Sequence, residues 1–241
     1  MKIIVTAAGG GSRFVLQGIK TPKYKIIANK HSLLYWSMMS LKTFFHEDFI
    51  FIFNKKTYDE AFVKSELKKI KIKKYQIIQL PKVTDGQATT VMQADKFIDD
   101  NESILIYNID TCVKPNIINR SILKYDGNVT TAQMKGDHWS FVKINRQGFA
   151  TQVTEKRRIS PHCSVGSYYF KRYDDFKFIY KKYINEIKKV YREAYIAPMY
   201  QYLINRDKKV NILCMNKSDI ISLGTPDEVI KFDKNYLSHN S

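Results

Sequence analysis

Lys2-Ile3-Ile4-Val5-Thr6-Ala7-Ala8-Gly9-Gly10-Gly11-Ser12-Arg13-Phe14 is the stretch on which the fold turns. A short apolar run, too brief for a helix of ordinary length, ends in three consecutive glycines and a polar restart, which reads as a buried strand, a turn and a helix. Consecutive glycines let the backbone approach a ligand closely, so that successive N–H groups can converge on phosphate oxygens. Arg13 and the downstream Lys23 of Thr21-Pro22-Lys23 add cations at the rim of that turn. The pattern is neither Gly-x-x-x-x-Gly-Lys-Ser/Thr nor Gly-x-Gly-x-x-Gly, because Gly18 falls too far along. A plain strand-to-helix connection is the alternative reading.

Working outward, residues 3–6, 49–53, 75–79 and 103–107 read as buried strands rich in Ile, Phe and Tyr. Between them, apolar residues recur at helical spacing: Leu33, Leu34, Met38 and Leu41; Phe62, Leu67 and Ile70; Val91, Ala94 and Ile98. Strand and helix in alternation predict a mostly parallel sheet with helices on both faces. After residue 125 the character changes. Residues 128–134, 139–144, 150–153 and 165–170 are strand-like and separated by turn signals at Gly136 and Gly148, as antiparallel additions to that sheet would be. Helices are expected at 174–189, at 198–205 and from Pro226, with a strand at 210–214. With no repeat and no Ser/Gly/Pro-rich linker, the expectation is one domain over 1–241, made of two halves at 1–125 and 126–241.

The 241 residues are 44% hydrophobic and 26% charged, ordinary globular usage that excludes a disordered or collagen-like chain. The net charge of +17 points to anionic partners. Thirty-two of the forty cations are lysine, a bias that an AT-rich genome also produces. No apolar run approaches the roughly 20 residues that span a bilayer. The N-terminal residues lack a signal-peptide pattern, so no membrane partner and a cytoplasmic location are expected. Cys112, Cys163 and Cys214 form neither a disulfide framework nor a zinc pattern.

Five segments, taken in order, resemble the nucleotidyltransferases that make nucleotide sugars and related activated metabolites. They are the glycine-rich stretch with Pro22-Lys23, Gly86-Gln87-Ala88, Asn108-Ile109-Asp110, Glu155-Lys156, and Leu223-Gly224-Thr225-Pro226-Asp227-Glu228. Trp139-Ser140-Phe141-Val142 with Val165-Gly166-Ser167-Tyr168-Tyr169-Phe170 is most similar to members from capsule and surface-polysaccharide gene clusters. The resemblance implies a Rossmann-like, glycosyltransferase-A-like α/β fold. It also implies Mg²⁺-dependent transfer of a nucleoside monophosphate from a triphosphate to a phosphorylated sugar, polyol or amide, with release of pyrophosphate.

On that resemblance, Arg13 grips the outer phosphates and Lys23 the α-phosphate, as a guanidinium fork and a mobile point charge suit. Lys25 is the rival if the loop register differs. Ala8, Gly9, Gly10, Gly11 and Ser12 hold the triphosphate, and Gln79, Gly86 and Gln87 read the base. A glutamine amide serves cytosine or uracil by flipping, so CTP leads UTP and dTTP only slightly. Glu155, Lys156, Gly166 and Glu193 bind the acceptor, with Arg157 and Arg158 either extending the anion site or facing solvent. Asp110 is the metal ligand. Many relatives carry a second Asp where this chain has Ser222, and Asp219, three residues before it, is the candidate substitute.

Two other functions compete. A nucleic-acid-binding protein is suggested by the charge and by Lys64, Lys68, Lys69, Lys71, Lys73 and Lys74, but no nucleic-acid motif accompanies them, so no nucleic-acid partner is expected. A regulatory protein that binds nucleotide without turnover is suggested by Ser222. A homo-oligomer is left open.

Overall fold

The computed structural model describes residues 1–236. In chain order its elements are β1 (Lys2–Ala7), α1 (Ser12–Val15), β2 (Ile27–Ala28), β3 (His31–Ser32), α2 (Leu33–Met39), β4 (Asp48–Asn54), α3 (Glu60–Lys69), β5 (Tyr75–Leu80), α4 (Gln87–Met92), β6 (Ile104–Asn108) and β7 (Thr111–Val113). They continue with β8 (Gly127–Gln133), β9 (Ser140–Ile144), β10 (Ala150–Glu155), β11 (His162–Phe170), α5 (Tyr173–Tyr191), α6 (Met199–Ile204), β12 (Val210–Met215), β13 (Ile220–Ser222) and α7 (Pro226–Phe232).

β5, β4, β1 and β6 lie side by side and run parallel. Alternate side chains of these strands go to opposite faces, as the pleat requires. Ile3 and Val5 of β1 join Phe49, Phe51 and Phe53 of β4 against Leu34 and Met38 of α2 and Val63 and Leu67 of α3. Ile4, Ile50, Ile52, Ile104 and Ile106 form the other face with α4, α5 and α6, through Ala88, Val91, Phe176, Ile179 and Leu203. Burial on both faces explains why these strands are apolar throughout rather than alternating.

β11 runs antiparallel to β6 and opens the second half. β8 pairs antiparallel with β11, and β12 parallel with β8, while β9 and β10 form a hairpin that β11 contacts at Cys163 and Phe141. The sheet is therefore continuous from β5 to β12, with β11 reversed and a branch at β9 and β10. Two small ribbons were not legible in advance. β2 and β3 close through Asn29 and Lys30 at φ 45° and 68°, and β13 pairs with β7, Ser222 opposite Thr111.

Candidate active site

The sheet's connections part in opposite directions from β1, towards β4 on one side and β6 on the other. Ligands of open α/β sheets bind at the carboxyl ends of strands at such a point. A cleft of about 600 Å³ opens there. Its first end is lined by Gly9, Gly10, Gly11, Ser12, Arg13 and Lys23, its middle by Asn108, Asp110 and Gly224, and its far end by His138, Glu155, Lys156, Glu193 and Tyr195.

Lys23 Nζ lies 3.1 Å from Asp110 Oδ2, joining residues 87 positions apart. Lys23 is 15% exposed and Asp110 38%, so the pair is open to a ligand but partly shielded from water. Lys25 is held elsewhere, 2.7 Å from Asp59 Oδ2 and over the Phe62 ring, which decides the register in favour of Lys23. A side chain at Gly224 would come within 3.9 Å of both Arg13 Nη1 and Asp110 Cβ, so this glycine lies between the two. The late turn is fastened to the same place: Leu223 N donates to the Asp110 carbonyl at 2.8 Å, and Gly224 N donates to Glu228 Oε2 at 2.8 Å. Thr225 caps α7 by accepting from Glu228 N.

The far end is built differently. Glu155 is buried, its carboxylate receives the Ser140 hydroxyl, and desolvation pushes its pKa above the ordinary carboxylate value. Lys156 has left-handed backbone at φ 53°, a conformation that costs an L-residue about 1–2 kcal/mol. Its amide donates to the Trp139 carbonyl at 2.9 Å and its ammonium to Tyr195 Oη at 2.5 Å. That hydrogen bond, with Glu193 and Glu155 nearby, raises the Lys156 pKa and keeps the ammonium charged. Gly166 does not line the cleft. It has φ 83°, and a Cβ there would sit 2.2 Å from Asn108 Nδ2, so its role is to admit Asn108 beside β11. Asn108 Oδ1 is buried without a partner among the described residues.

Several expectations are corrected. Asp219 does not reach the cleft: it sits at the far end of the β7 and β13 ribbon, its carboxylate 3.0 Å from Lys114 Nζ, whereas Ser222 is the residue beside Asp110. Gln79 is exposed on β5, the outermost strand of the parallel side, and does not line the cleft. Gly86 is also outside it. A Cβ on Gly86 would meet Ala194 N at 2.4 Å, and Ala88 N and Ala194 N donate to the Ala194 and Asp85 carbonyls, so this turn is bolted to the 193–195 segment. Gln87 reaches the cleft wall indirectly, Nε2 donating to Thr6 Oγ1 at 2.9 Å. Ala8 lies buried beneath the glycines. Arg158 does not line the cleft and is exposed to solvent. Its guanidinium donates to Asp137 Oδ1, Met134 O and Gly136 O over the Phe141 ring, pinning the 134–139 loop that carries His138.

His138, Asn54 and Thr57 are cleft residues that sequence reasoning missed. Asn54 ends β4 beside β1, and the strand-end rule that singles out Asp110 would have flagged it. Nothing in the sequence marks His138, since the loop that holds it is placed by Arg158 from 20 residues downstream.

With this geometry in view, the profile of the nucleotidyl transferase family matches residues 2–239, and the chain belongs to that family. It is similar to a nucleoside-diphosphate-sugar pyrophosphorylase from Vibrio cholerae RC9, with 32% identity, a TM-score of 0.87, and coverage of 97% of this chain and 100% of that one. The inositol-1-phosphate CTP transferase of T. maritima has the same fold at 15% identity and a TM-score of 0.73, covering 94% of this chain and 90% of that one. So does a UDP-glucose pyrophosphorylase complexed with UDP-glucose, at 15% identity and a TM-score of 0.76, with 99% and 98% covered. No curated protein sequence matches. Among the described residues no helix is long and apolar enough to cross a membrane.

Proposed function

We propose that this protein transfers a nucleoside monophosphate, CMP ahead of UMP or dTMP, from its triphosphate to a small phosphorylated sugar, polyol or amide, with pyrophosphate as the second product. Residues 1–125 and 126–241 would act as one unit, supplying activated building blocks for a surface polysaccharide in the cytoplasm. The carrying observation is that Arg13, Lys23, Asp110 and Lys156 line a single cleft.

An acceptor phosphate is already a nucleophile, so positioning and charge neutralisation supply the catalysis. One of its oxygens attacks the α-phosphorus, a P–O bond forms, and the bond from the α-phosphorus to the bridging oxygen breaks, the electron pair leaving with pyrophosphate. Lys23 would turn from Asp110 to the α-phosphate, Arg13 would hold the leaving phosphates, and Lys156 the acceptor phosphate, with Glu155 and Glu193 taking its hydroxyl or amine groups.

The donor set suits Mg²⁺. Asp110 is a hard oxygen ligand in the cleft, Ser222 stands where a second carboxylate would, and no group of three or more His, Cys, Asp or Glu that could enclose a metal exists among the described residues. Mg²⁺ commonly binds through one or two carboxylates with phosphates and waters completing its shell. Asp110 would hold it, and the ion would supply neutralising charge to the phosphates.

Pyrophosphate release with Mg²⁺, scanned over CTP, UTP, dTTP, ATP and GTP against pooled phosphorylated sugars, polyols, amino alcohols and amides, tests this reading. Release that needs CTP and one pool supports it. Nucleotide binding with no release from any pool points to the non-catalytic alternative that Ser222 raises, and no binding at all overturns the proposal.

A further inference from the structure

A second, shallow and open pocket of about 500 Å³ lies on the other side of the 154–157 turn, lined by Lys143, Thr151, Gln152, Val153, Thr154, Arg157, Tyr191 and Gln201. Its size is within the range of small-ligand sites. Its lining holds two cations, hydroxyls and amides but no carboxylate, and among the described residues neither Lys143 nor Arg157 makes an ion pair. Two unmatched cations facing one polar cavity favour an anion, and a phosphate group takes both guanidinium and ammonium donors.

The cavity shares its walls with the cleft. In the 154–157 turn, Thr154 and Arg157 line the rear cavity while Glu155 and Lys156 line the cleft, and Thr154 Oγ1 donates to the Arg157 carbonyl at 2.6 Å to hold the turn closed. In the 191–195 segment, Tyr191 lines the rear cavity while Glu193 and Tyr195 line the cleft. Lys156 Nζ and Tyr195 Oη join the two segments. We infer that the rear cavity is a second binding site, for a small phosphate-bearing anion, whose occupancy is felt at the acceptor end through these shared segments. Lys156 sits at φ 53° between Glu155 and Arg157, so a pull on Arg157 acts on a backbone position with few alternatives.

Orthophosphate and glycerol 3-phosphate are the probes, titrated into ¹⁵N-labelled protein. The wild-type protein is used, because the Lys156–Tyr195 link must stay intact, and no turnover is needed, so the experiment does not depend on the proposed transferase activity. Saturable amide shifts in residues 151–157 and 191–195 are expected, weakened at least about tenfold when Lys143→Ala and Arg157→Ala are added. Both side chains are exposed, and an unchanged melting temperature establishes that these variants fold. Tighter binding of glycerol 3-phosphate assigns the site to phosphate esters, and tighter binding of orthophosphate to free phosphate. Shifts confined to residues 9–13 and 23, or titrations that Lys143→Ala and Arg157→Ala leave unchanged, overturn the inference.

Discussion

The two ends of the cleft handle charge in opposite ways. At one end Arg13 stands in α1 and Lys23 in the segment between α1 and β2, with Lys23 held by Asp110 across the cleft, a contact that an incoming polyanion can replace. At the acceptor end the groups are tied into the scaffold: Glu155 is buried on Ser140, Lys156 is fixed to Trp139 O and Tyr195 Oη, and Arg158 braces the loop above. Binding any triphosphate needs mainly fixed positive charge, whereas choosing one acceptor needs shape, and shape needs buried and braced groups. On the proposed function, the contrast assigns catalysis to the first end and selection to the second.

The largest expected effect tests the first half of that division. Asp110→Ala and Lys23→Ala should each lower kcat by about 10²–10³-fold with little change in melting temperature, because they remove charge stabilisation rather than packing. Near-normal turnover in either would break the comparison. Next, Lys156→Ala should raise the acceptor KM by about 10–100-fold, the loss of a hydrogen bond to a charged group, while the triphosphate KM stays within a factor of about two. Equal shifts in both constants would erase the distinction between the ends.

Gly166→Ala probes the bracing. Its Cβ would collide with Asn108 and its φ of 83° disfavours a side chain, so a stability loss of about 1–3 kcal/mol is expected in denaturant titration. Gly10→Ala, whose Cβ would meet nothing within 4 Å, should lose much less. The smallest effect is the pH dependence set by Glu155. Its folded pKa is raised above 4.5, so the native protein keeps the proton longer than the unfolded chain does. The group's stabilising contribution is full below about pH 4.5 and is lost as pH rises through the folded value. Glu155→Gln removes that loss, and its melting temperature relative to the parent should climb between about pH 4 and pH 7. A constant difference across that window would mean the carboxylate is not penalised by burial.

The first half of the chain was the more legible. β1, β4, β5 and β6 fall within a residue or two of their expected positions, because strands buried on both faces must be apolar along their whole length. Arg13 and Asp110 line the cleft because each lies just past a glycine turn or a strand end, which are local signals, whereas Lys23 was legible only through the Pro22-Lys23 resemblance. Gln79 and Asp219 failed for a related reason. Each is a suitable side chain close in sequence to the right place, but Gln79 lies on an outer strand, and pairing of β13 with β7 carries Asp219 three residues beyond Ser222. His138 enters the site only because distant segments are brought together.

The sequence by itself determined the alternation of strand and helix, the glycine turn with its cations, and the family to which five ordered motifs point, since all of these are written in residues within a few positions of one another. Only the tertiary structure decided that Lys23 rather than Lys25 meets Asp110, that Ser222 rather than Asp219 stands beside it, that Arg158 is a brace, and that one turn serves two cavities. Those outcomes depend on strand register and on which segments pack together, and contacts between residues 20 to 100 positions apart leave no periodic mark in the chain.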